Sequence, residues 1–264
     1  MSESLNIALH NAQKAFSVAT ASGGGNGAAA AASIFHGLLK EKSTSPLDAA
    51  ALLQPEQARH EFLRLVQRLF VMPWSGKQIR SVMISAVGNG AATERITACV
   101  AETLAAQELG TVCLVDANVR APSLHRDFSV PNKRGFVEFF SEPIKNPKTL
   151  AYQIGDSTLW VMPAGGNDDC RMAVTAEHLA THLSGLLNEF DYVLINAPVA
   201  NVQTSVFVLA TFTDGVVLVV EADQTRREVA LKAKQDFELA RARLLGVVLN
   251  NRKYPIPEMI YKRL

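Results

Sequence analysis

Cysteine is scarce in this sequence, and the few cysteines that occur follow no regular spacing. Of the 264 residues only three are cysteine, Cys99, Cys113 and Cys170, and the first two lie in apolar stretches. An odd, unspaced set does not indicate a disulfide framework. We therefore expect Cys99 and Cys113 to be small core residues and the protein to be cytoplasmic, in a reducing compartment.

Long apolar runs and an excess of one charge are also missing. No apolar stretch approaches the ~18 residues that a membrane-spanning helix needs, and the N-terminus lacks the basic and apolar regions of a secretory signal. The 26 Lys and Arg residues nearly balance the 25 Asp and Glu residues, so bulk charge does not favour a nucleic-acid partner. Hydrophobic residues, in contrast, make up 48% of the chain, which is ample for the core of a large domain.

The first 54 residues are predicted to form an N-terminal extension outside the main domain. Apolar residues recur at helical spacing over 4–16, and the stretch 17–33 has the low-complexity composition of a flexible tether. A helix this short is marginal in water by itself. Two interpretations therefore stay open: a frayed terminal helix, or a docking helix for a partner or a membrane surface.

From residue 55 onward, apolar runs alternate with amphipathic segments. Strands are predicted over 81–85, 111–115, 159–162, 192–195, 215–220 and 245–249. Helices are predicted over 55–70, 91–108, 136–140, 173–189, 202–210 and 226–242. Uninterrupted Val, Ile and Leu runs are typical of strands covered on both faces, and alternation with helices implies right-handed crossovers. We expect residues 55–264 to form a doubly wound, mostly parallel α/β sheet.

The stretch 81–97 has the order of elements that a phosphate-binding loop requires. A predicted buried strand runs into a turn with Gly88 and Gly90, and a helix follows from about Ala91. Glycines let backbone N–H groups curl around an anion, and the helix adds the positive end of its dipole. The Lys and Ser/Thr that such a loop carries after its last glycine are replaced by Ala91 and Ala92. The cation and the first magnesium ligand are therefore missing.

Ligands of parallel α/β sheets bind outside the carboxyl ends of the strands. This rule places four stretches on one edge of the predicted sheet, namely 87–93, 116–122, 196–199 and 250–252. We expect any binding site to be built from these stretches.

Six motifs, taken in order along the chain, carry a family resemblance. The strongest is VCLVDANVRAPSLHRDF over 112–128, and it is followed by GFVEFF, LWVMPAGG, FDYVLINAPV, DGVVLVVEADQTRREV and LLGVVLNN. In this order and spacing they resemble the bacterial tyrosine kinases of polysaccharide export, the BY-kinase or CpsD/CapB group. That group lies within the MinD/ParA-like branch of P-loop ATPases. The resemblance covers roughly residues 55–264 and implies a P-loop NTPase-like fold.

The resemblance implies a nucleotide site, and the sequence departs from the family pattern within it. Asn196 stands where the family has the Walker B aspartate, and Asn118 replaces a second acidic residue, whereas Asp116 survives as the acidic candidate. Asn250 matches an adenine-contacting position, although an ordinary polar residue at a strand end fits equally well. The vestigial site comprises Gly88, Asn89, Gly90, Ala91, Ala92, Thr93, Asp116, Asn118, Arg120, Asn196 and Asn250.

These replacements predict a site that has kept its shape and lost its charge. The loop lysine and the metal neutralise the phosphates in phosphoryl transfer, and each missing group of this kind raises the barrier by several kcal/mol. Thr93 is an alternative hydroxyl, and Arg95 or Lys77 are alternative cations. We expect no resident cofactor and no Mg²⁺, whereas weak ATP or ADP binding through backbone N–H groups stays open.

The resemblance also implies functional positions outside the nucleotide site. Glu61 and Arg64 match part of an oligomerisation motif on the predicted helix 55–70, and a solvated charged face is the alternative. Tyr254 and Tyr261 lie where the family has a phosphorylated tyrosine cluster, but two separated tyrosines fit a packed or disordered chain end better.

Two histidines, His178 and His182, have the spacing of metal ligands on one helix face. No third ligand accompanies them, and a metal site needs at least three protein ligands. We therefore predict no metal site there.

The sequence favours a degenerate, pseudokinase-like adaptor in exopolysaccharide or capsule biosynthesis and export. By the resemblance, its partner is the cytoplasmic part of a membrane polysaccharide co-polymerase of the Wzz type, or a catalytic BY-kinase homologue, and it forms a homo-oligomer. Two alternatives stay open: an active protein-tyrosine autokinase with a rearranged phosphate loop, and a MinD/ParA-like positioning protein. Fold alone does not decide among them.

Overall fold

A computed structural model describes residues 56–72, 76–88, 93–166, 176–200, 202 and 205–251. The predicted N-terminal helix and linker (1–54) lie outside the described residues. So do residues 89–92 of the predicted phosphate loop and both C-terminal tyrosines, Tyr254 and Tyr261.

The described helices and strands alternate as the sequence predicts. The helices are α1 (Glu56–Val66), α2 (Thr93–Ala105), α3 (Leu124–Asp127), α4 (Phe136–Ser141), α5 (Ala176–Glu189), α6 (Ser205–Ala210) and α7 (Arg227–Leu239). A π-helical turn (Gln67–Val71) extends α1, and a 3₁₀ turn (Pro147–Leu150) precedes the third strand. The strands are β1 (Ser81–Ala86), β2 (Val112–Asp116), β3 (Tyr152–Gln153), β4 (Leu159–Met162), β5 (Tyr192–Asn196), β6 (Gly215–Glu221) and β7 (Leu244–Asn250).

The strands form one sheet in the order β3-β4-β2-β5-β1-β6-β7. All neighbouring pairs are parallel except β3 with β4, which is antiparallel. The predicted doubly wound, mostly parallel sheet is therefore confirmed. The sequence analysis missed β3 because two residues are too few to show any periodicity.

Helices cover both faces of the sheet, which explains the apolar composition of the central strands. Alternate residues of β1 face opposite sides: Val82 and Ile84 belong to the apolar cluster that includes α1 and α2, whereas Met83 belongs to the cluster that includes α4, α5, α6 and α7. All six residues of β1 are buried. A strand buried on both faces has no solvent side that would select polar residues.

Two cysteines lie inside this core, as predicted. Cys99 on α2 and Cys113 on β2 are buried free thiols. Burial raises the pKa of Cys99 to about 11 and raises that of Cys113 further still. Cys170 lies outside the described residues. In the described part of the chain, no helix combines the length and the apolar character needed to cross a membrane.

Candidate functional site

The site lies at the carboxyl ends of three neighbouring strands, β2, β5 and β1. Asn196, the last residue of β5, is in register with Asp116, the last residue of β2, and on its other side with Ile84 of β1. Parallel pairing brings these strand ends to one edge of the sheet. The structure therefore places Asp116 and Asn196 side by side.

Asp116 is fully buried, and both of its carboxylate oxygens accept hydrogen bonds. Oδ1 accepts from the side-chain Nδ2 of Asn196 and from the backbone N–H of Asn118, both at 3.1 Å. Oδ2 accepts from the backbone N–H groups of Ser123 and Leu124, both at 3.2 Å. These two N–H groups begin the short helix α3, so Asp116 caps a helix from a distant strand.

The pKa of Asp116 is raised from 3.8 to about 6, because burial penalises the carboxylate more than its hydrogen bonds stabilise it. A carboxylate offers roughly four lone-pair positions, and four donors already use them. Asp116 therefore has a structural role in this state, and none of its lone pairs is left for a metal ion.

The two polar atoms of the Asn196 side chain differ in their partners. Its Nδ2 donates to Asp116, whereas its buried Oδ1 accepts no hydrogen bond from any described residue. A buried acceptor of this kind fits a donor such as water. Magnesium prefers carboxylate and phosphate oxygens, so a neutral amide beside a saturated carboxylate does not fit the Mg²⁺ that the fold family implies.

The start of the predicted phosphate loop is held by a residue that the sequence analysis missed. The Thr225 hydroxyl donates to the carbonyl of Val87 at 3.3 Å and accepts from the Glu221 backbone N–H at 3.0 Å. Gly88 follows with a φ of 91°, a backbone conformation that favours glycine. Thr225 lies 138 residues from Val87, and no local sequence pattern indicates such a contact.

Residues of both charge signs lie around the loop after β2. Asn118 donates from Nδ2 to Glu94 Oε1 at 3.4 Å, so a carboxylate from the first turn of α2 lies next to the site. Glu94 is a second residue that the sequence analysis did not select. Arg120 is exposed on the same loop. The site edge therefore carries one extra acid and one exposed cation.

Three residues are alternatives to the missing cation and hydroxyl of the loop, and they lie in different parts of the sheet edge and of α2. Lys77 was one of two alternative cations, and the structure does not place it at the site. Its Nζ lies 2.7 Å from Asp214 Oδ1, before β1 and β6, at the amino edge of the sheet. Arg95 is exposed in the first turn of α2, and Thr93 is buried at its start.

Asn250 lies away from the Asp116–Asn196 pair. It ends β7, which is separated from β1 by β6. The predicted adenine contact of Asn250 stays a prediction. His182 packs its ring 4.9 Å from the rings of Phe139 and of Phe140, whereas the side chain of His178 lies outside the described part. Among the described residues, no group of three or more His, Cys, Asp or Glu side chains could hold a metal ion.

Comparison with known proteins identifies several relatives, although no protein-family model matches the chain. CapB of Staphylococcus aureus is 28% identical over 83% of this chain and 94% of its own length. The tyrosine-protein kinase YwqD of Bacillus subtilis is 26% identical over 77% of this chain and 85% of its own. The homologues of this chain are bacterial tyrosine-protein kinases.

One further relative and two solved structures also match this chain. The succinoglycan biosynthesis transport protein ExoP of Rhizobium meliloti is 26% identical over 67% of this chain but only 23% of its own length. The crystal structure of the chimeric protein CapA2B2 matches with a TM-score of 0.66 and 25% identity, over 74% of this chain and 85% of that chain. MinD of Aquifex aeolicus matches with a TM-score of 0.56 and 17% identity, over 70% and 73%, which shows the fold alone. The expected P-loop NTPase-like fold and the resemblance to the tyrosine kinases are both confirmed.

The predicted oligomer contact of the tyrosine-kinase group lies on the surface of α1. Arg64 pairs with Glu61 at 2.8 Å, and both side chains are about 70% exposed. The pair is therefore accessible to a second molecule, and its role in assembly stays a prediction.

Replacing Arg64 with alanine tests that role. We expect Arg64→Ala to change the free energy of unfolding by less than about 0.5 kcal/mol, because exposed ion pairs contribute little. We expect the variant to lose self-association, measured by sedimentation velocity. Lys234→Ala breaks the exposed pair with Glu238 on α7 and is the matched control. An Arg64→Ala variant that keeps its oligomeric state would contradict the contact.

Proposed function

We propose that this chain is a pseudokinase-like adaptor in exopolysaccharide or capsule biosynthesis and export. It keeps the fold of its tyrosine-kinase homologues and does not transfer phosphate. The observation that carries the proposal is the pairing of Asn196 with Asp116. The only carboxylate on the strand ends of β1, β2 and β5 has its lone pairs occupied by an amide and three backbone groups.

The loop sequence supports the same conclusion. Phosphoryl transfer depends on positive charge placed around the phosphates and on a metal held by carboxylates. Ala91 and Ala92 supply neither a cation nor a hydroxyl. Asn196 supplies no charge. The groups that shape this edge of the sheet are present, namely Gly88, Asp116 and the loop anchor Thr225.

The proposed partner is the cytoplasmic part of a membrane polysaccharide co-polymerase, or a catalytic homologue of this chain. The relation to CapB and to ExoP, a succinoglycan biosynthesis transport protein, supports a place beside polysaccharide transport machinery. The ExoP match spans 23% of that protein. In ExoP, the region similar to this chain is therefore one part of a much longer protein. An adaptor would supply binding surface to such machinery without catalysis.

Calorimetric titration with ATP and ADP, with and without Mg²⁺, tests the loss of the nucleotide site. We expect no dissociation constant below about 1 mM and no magnesium dependence, because backbone N–H groups alone grip an anion weakly. A catalytic homologue such as YwqD is the positive control. Tight, magnesium-dependent binding would contradict the proposal.

A radiolabelling assay distinguishes the adaptor from an active autokinase. We expect no incorporation of ³²P from [γ-³²P]ATP into the purified chain. Incorporation that is abolished by Asp116→Asn would support the autokinase alternative and contradict the adaptor.

A deletion strain distinguishes the adaptor from a positioning protein. We expect less extracellular polysaccharide and normal placement of the cell poles and chromosome. Normal polysaccharide with misplaced poles or chromosomes would support the positioning protein.

A further inference from the structure

Helix α7 presents two leucines to solvent. Its inner face packs in the core through Ala233 and Phe237, which are 3% and 0% exposed. Leu231 and Leu239 lie on the opposite, outer face and are 46% and 82% exposed. Residues at this spacing share one stripe of a helix, and an apolar stripe normally packs against another element.

The charged residues between these leucines are sorted by sign along the helix. Lys232 and Lys234 come first, and Asp236 and Glu238 follow. Within the chain they form two long ion pairs, with 3.6 Å between Lys232 Nζ and Asp236 Oδ1 and 3.5 Å between Lys234 Nζ and Glu238 Oε1. The four side chains are between 33% and 76% exposed. Exposed pairs of this kind contribute little within one helix, so all four charges are available to a second molecule.

Gln235 lies at the centre of this pattern. Residues 231–239 read LKAKQDFEL, with a leucine at each end, two lysines before Gln235 and two acids after it. When a second copy of the helix packs antiparallel with a two-fold axis at Gln235, the lysine half of one helix lies beside the acidic half of the other. The same operation brings Leu231 of one copy level with Leu239 of the other. A parallel pair would place lysine beside lysine and acid beside acid, and such contacts between like charges are unfavourable.

We propose that the outer face of α7 pairs antiparallel with the same face of a second copy of this chain. The contact is isologous, because each helix supplies both the lysines and the acids. The leucines form its apolar part, and the charges set its direction and register. One helix pair buries less surface than the ~1,200–2,000 Å² of a stable interface. The pairing is therefore weak and is dissociated at the low protein concentrations of sedimentation velocity.

Helices α7 and α1 lie on opposite faces of the sheet. Phe237 of α7 belongs to one apolar cluster, and Val66 of α1 belongs to the other. Pairing through α7 therefore leaves the predicted contact on α1 accessible, and the two contacts join chains in different directions. The α7 pairing does not depend on the loss of phosphate transfer, and its tests involve no nucleotide.

Single cysteines test the antiparallel register in the full-length chain. With Cys170→Ser as background, Gln235→Cys places a thiol on the two-fold axis, opposite its own copy. Two helices ~10 Å apart bring the two Cα atoms to ~5.5 Å at this point, which is within disulfide reach. The matched control Glu228→Cys is also exposed on α7, but an antiparallel pair separates it from its own copy by ~21 Å.

At high protein concentration, we expect Gln235→Cys to form covalent dimers at least tenfold faster than Glu228→Cys, measured on non-reducing gels. Equal rates would overturn the proposal. Fast dimer formation at both positions would indicate a parallel pair, and slow formation at both would mean that α7 does not pair with its own copy.

Exchange of the charges tests the complementarity. In the Gln235→Cys chain, Lys232→Glu with Lys234→Glu makes the outer face acidic, and Asp236→Lys with Glu238→Lys makes it basic. We expect each altered chain alone to form dimers at least tenfold more slowly than the Gln235→Cys parent, because like charges then face each other. An equal mixture of the two should form mixed dimers at close to the parent rate. Unchanged rates in the separate chains, or no recovery in the mixture, would overturn the proposal.

Discussion

Replacing Asp116 with alanine is expected to lower the free energy of unfolding by about 3–5 kcal/mol. The substitution leaves four donors around a fully buried position without an acceptor, including the two N–H groups that begin α3. A buried unsatisfied donor typically costs ~1–3 kcal/mol, and water recovers part of that cost. Equilibrium denaturation in urea measures the change. A loss below about 1 kcal/mol would mean that the cap contributes little.

The matched variant Asp116→Asn removes the charge of the carboxylate and keeps the shape of the side chain. Burial raises the pKa of Asp116 to about 6 in the folded state, so the folded state binds this proton more tightly than the unfolded state. The stabilisation is present below about pH 4 and is lost as the pH rises through about 6. Relative to Asp116→Asn, the parent protein should lose about 2–3 kcal/mol over this range. Parallel pH profiles of the two proteins would contradict the raised pKa.

Restoring the missing charged groups is expected to restore magnesium-dependent ATP binding. The triple variant Ala91→Lys, Ala92→Thr and Asn196→Asp returns the cation, the hydroxyl and the metal-binding carboxylate. We expect MgATP to bind at least ~100-fold more tightly than to the parent chain, since each charged contact is worth about 1.5–3 kcal/mol. Isothermal titration calorimetry measures the gain.

Two partial variants control the restoration. With Ala91→Lys and Ala92→Thr alone, we expect tighter ATP binding but little magnesium dependence, because Asn196 carries no charge for the metal. With Asn196→Asp alone, a second carboxylate replaces the amide that lies 3.1 Å from Asp116. Like charges at this distance repel, so we expect this variant to be less stable without Mg²⁺. A parent chain that already binds MgATP as tightly as the triple variant would show that the alanines and Asn196 are not the limiting groups.

The central sheet could be predicted from the sequence because its strands are buried on both faces. The predicted strand over 192–195 ends one residue before the observed end of β5 (Tyr192–Asn196), and the strand over 159–162 matches β4. The four-residue helix α3 was missed because it depends on a cap from Asp116, a contact from another strand. Local propensity does not encode such a contact.

The site was predicted in part. The sequence placed Asp116 and Asn196 on one edge of the sheet, because both follow parallel strands, whereas their direct adjacency depends on the pairing of β2 with β5. Strand order is a property of the whole sheet, so the sequence did not reveal that β6 separates Asn250 from β1. For the same reason Lys77 stayed open as an alternative cation, and Thr225 and Glu94 were not selected.

The two core thiols have a practical consequence for measuring these effects. Thiolates, not thiols, react with alkylating reagents, so Cys99 and Cys113 should resist iodoacetamide while the protein is native. In a Cys170→Ser background, brief alkylation followed by mass spectrometry would then count unfolded molecules directly. Alkylation of Cys99 and Cys113 would therefore measure how often the native protein unfolds transiently, without added dyes or denaturant.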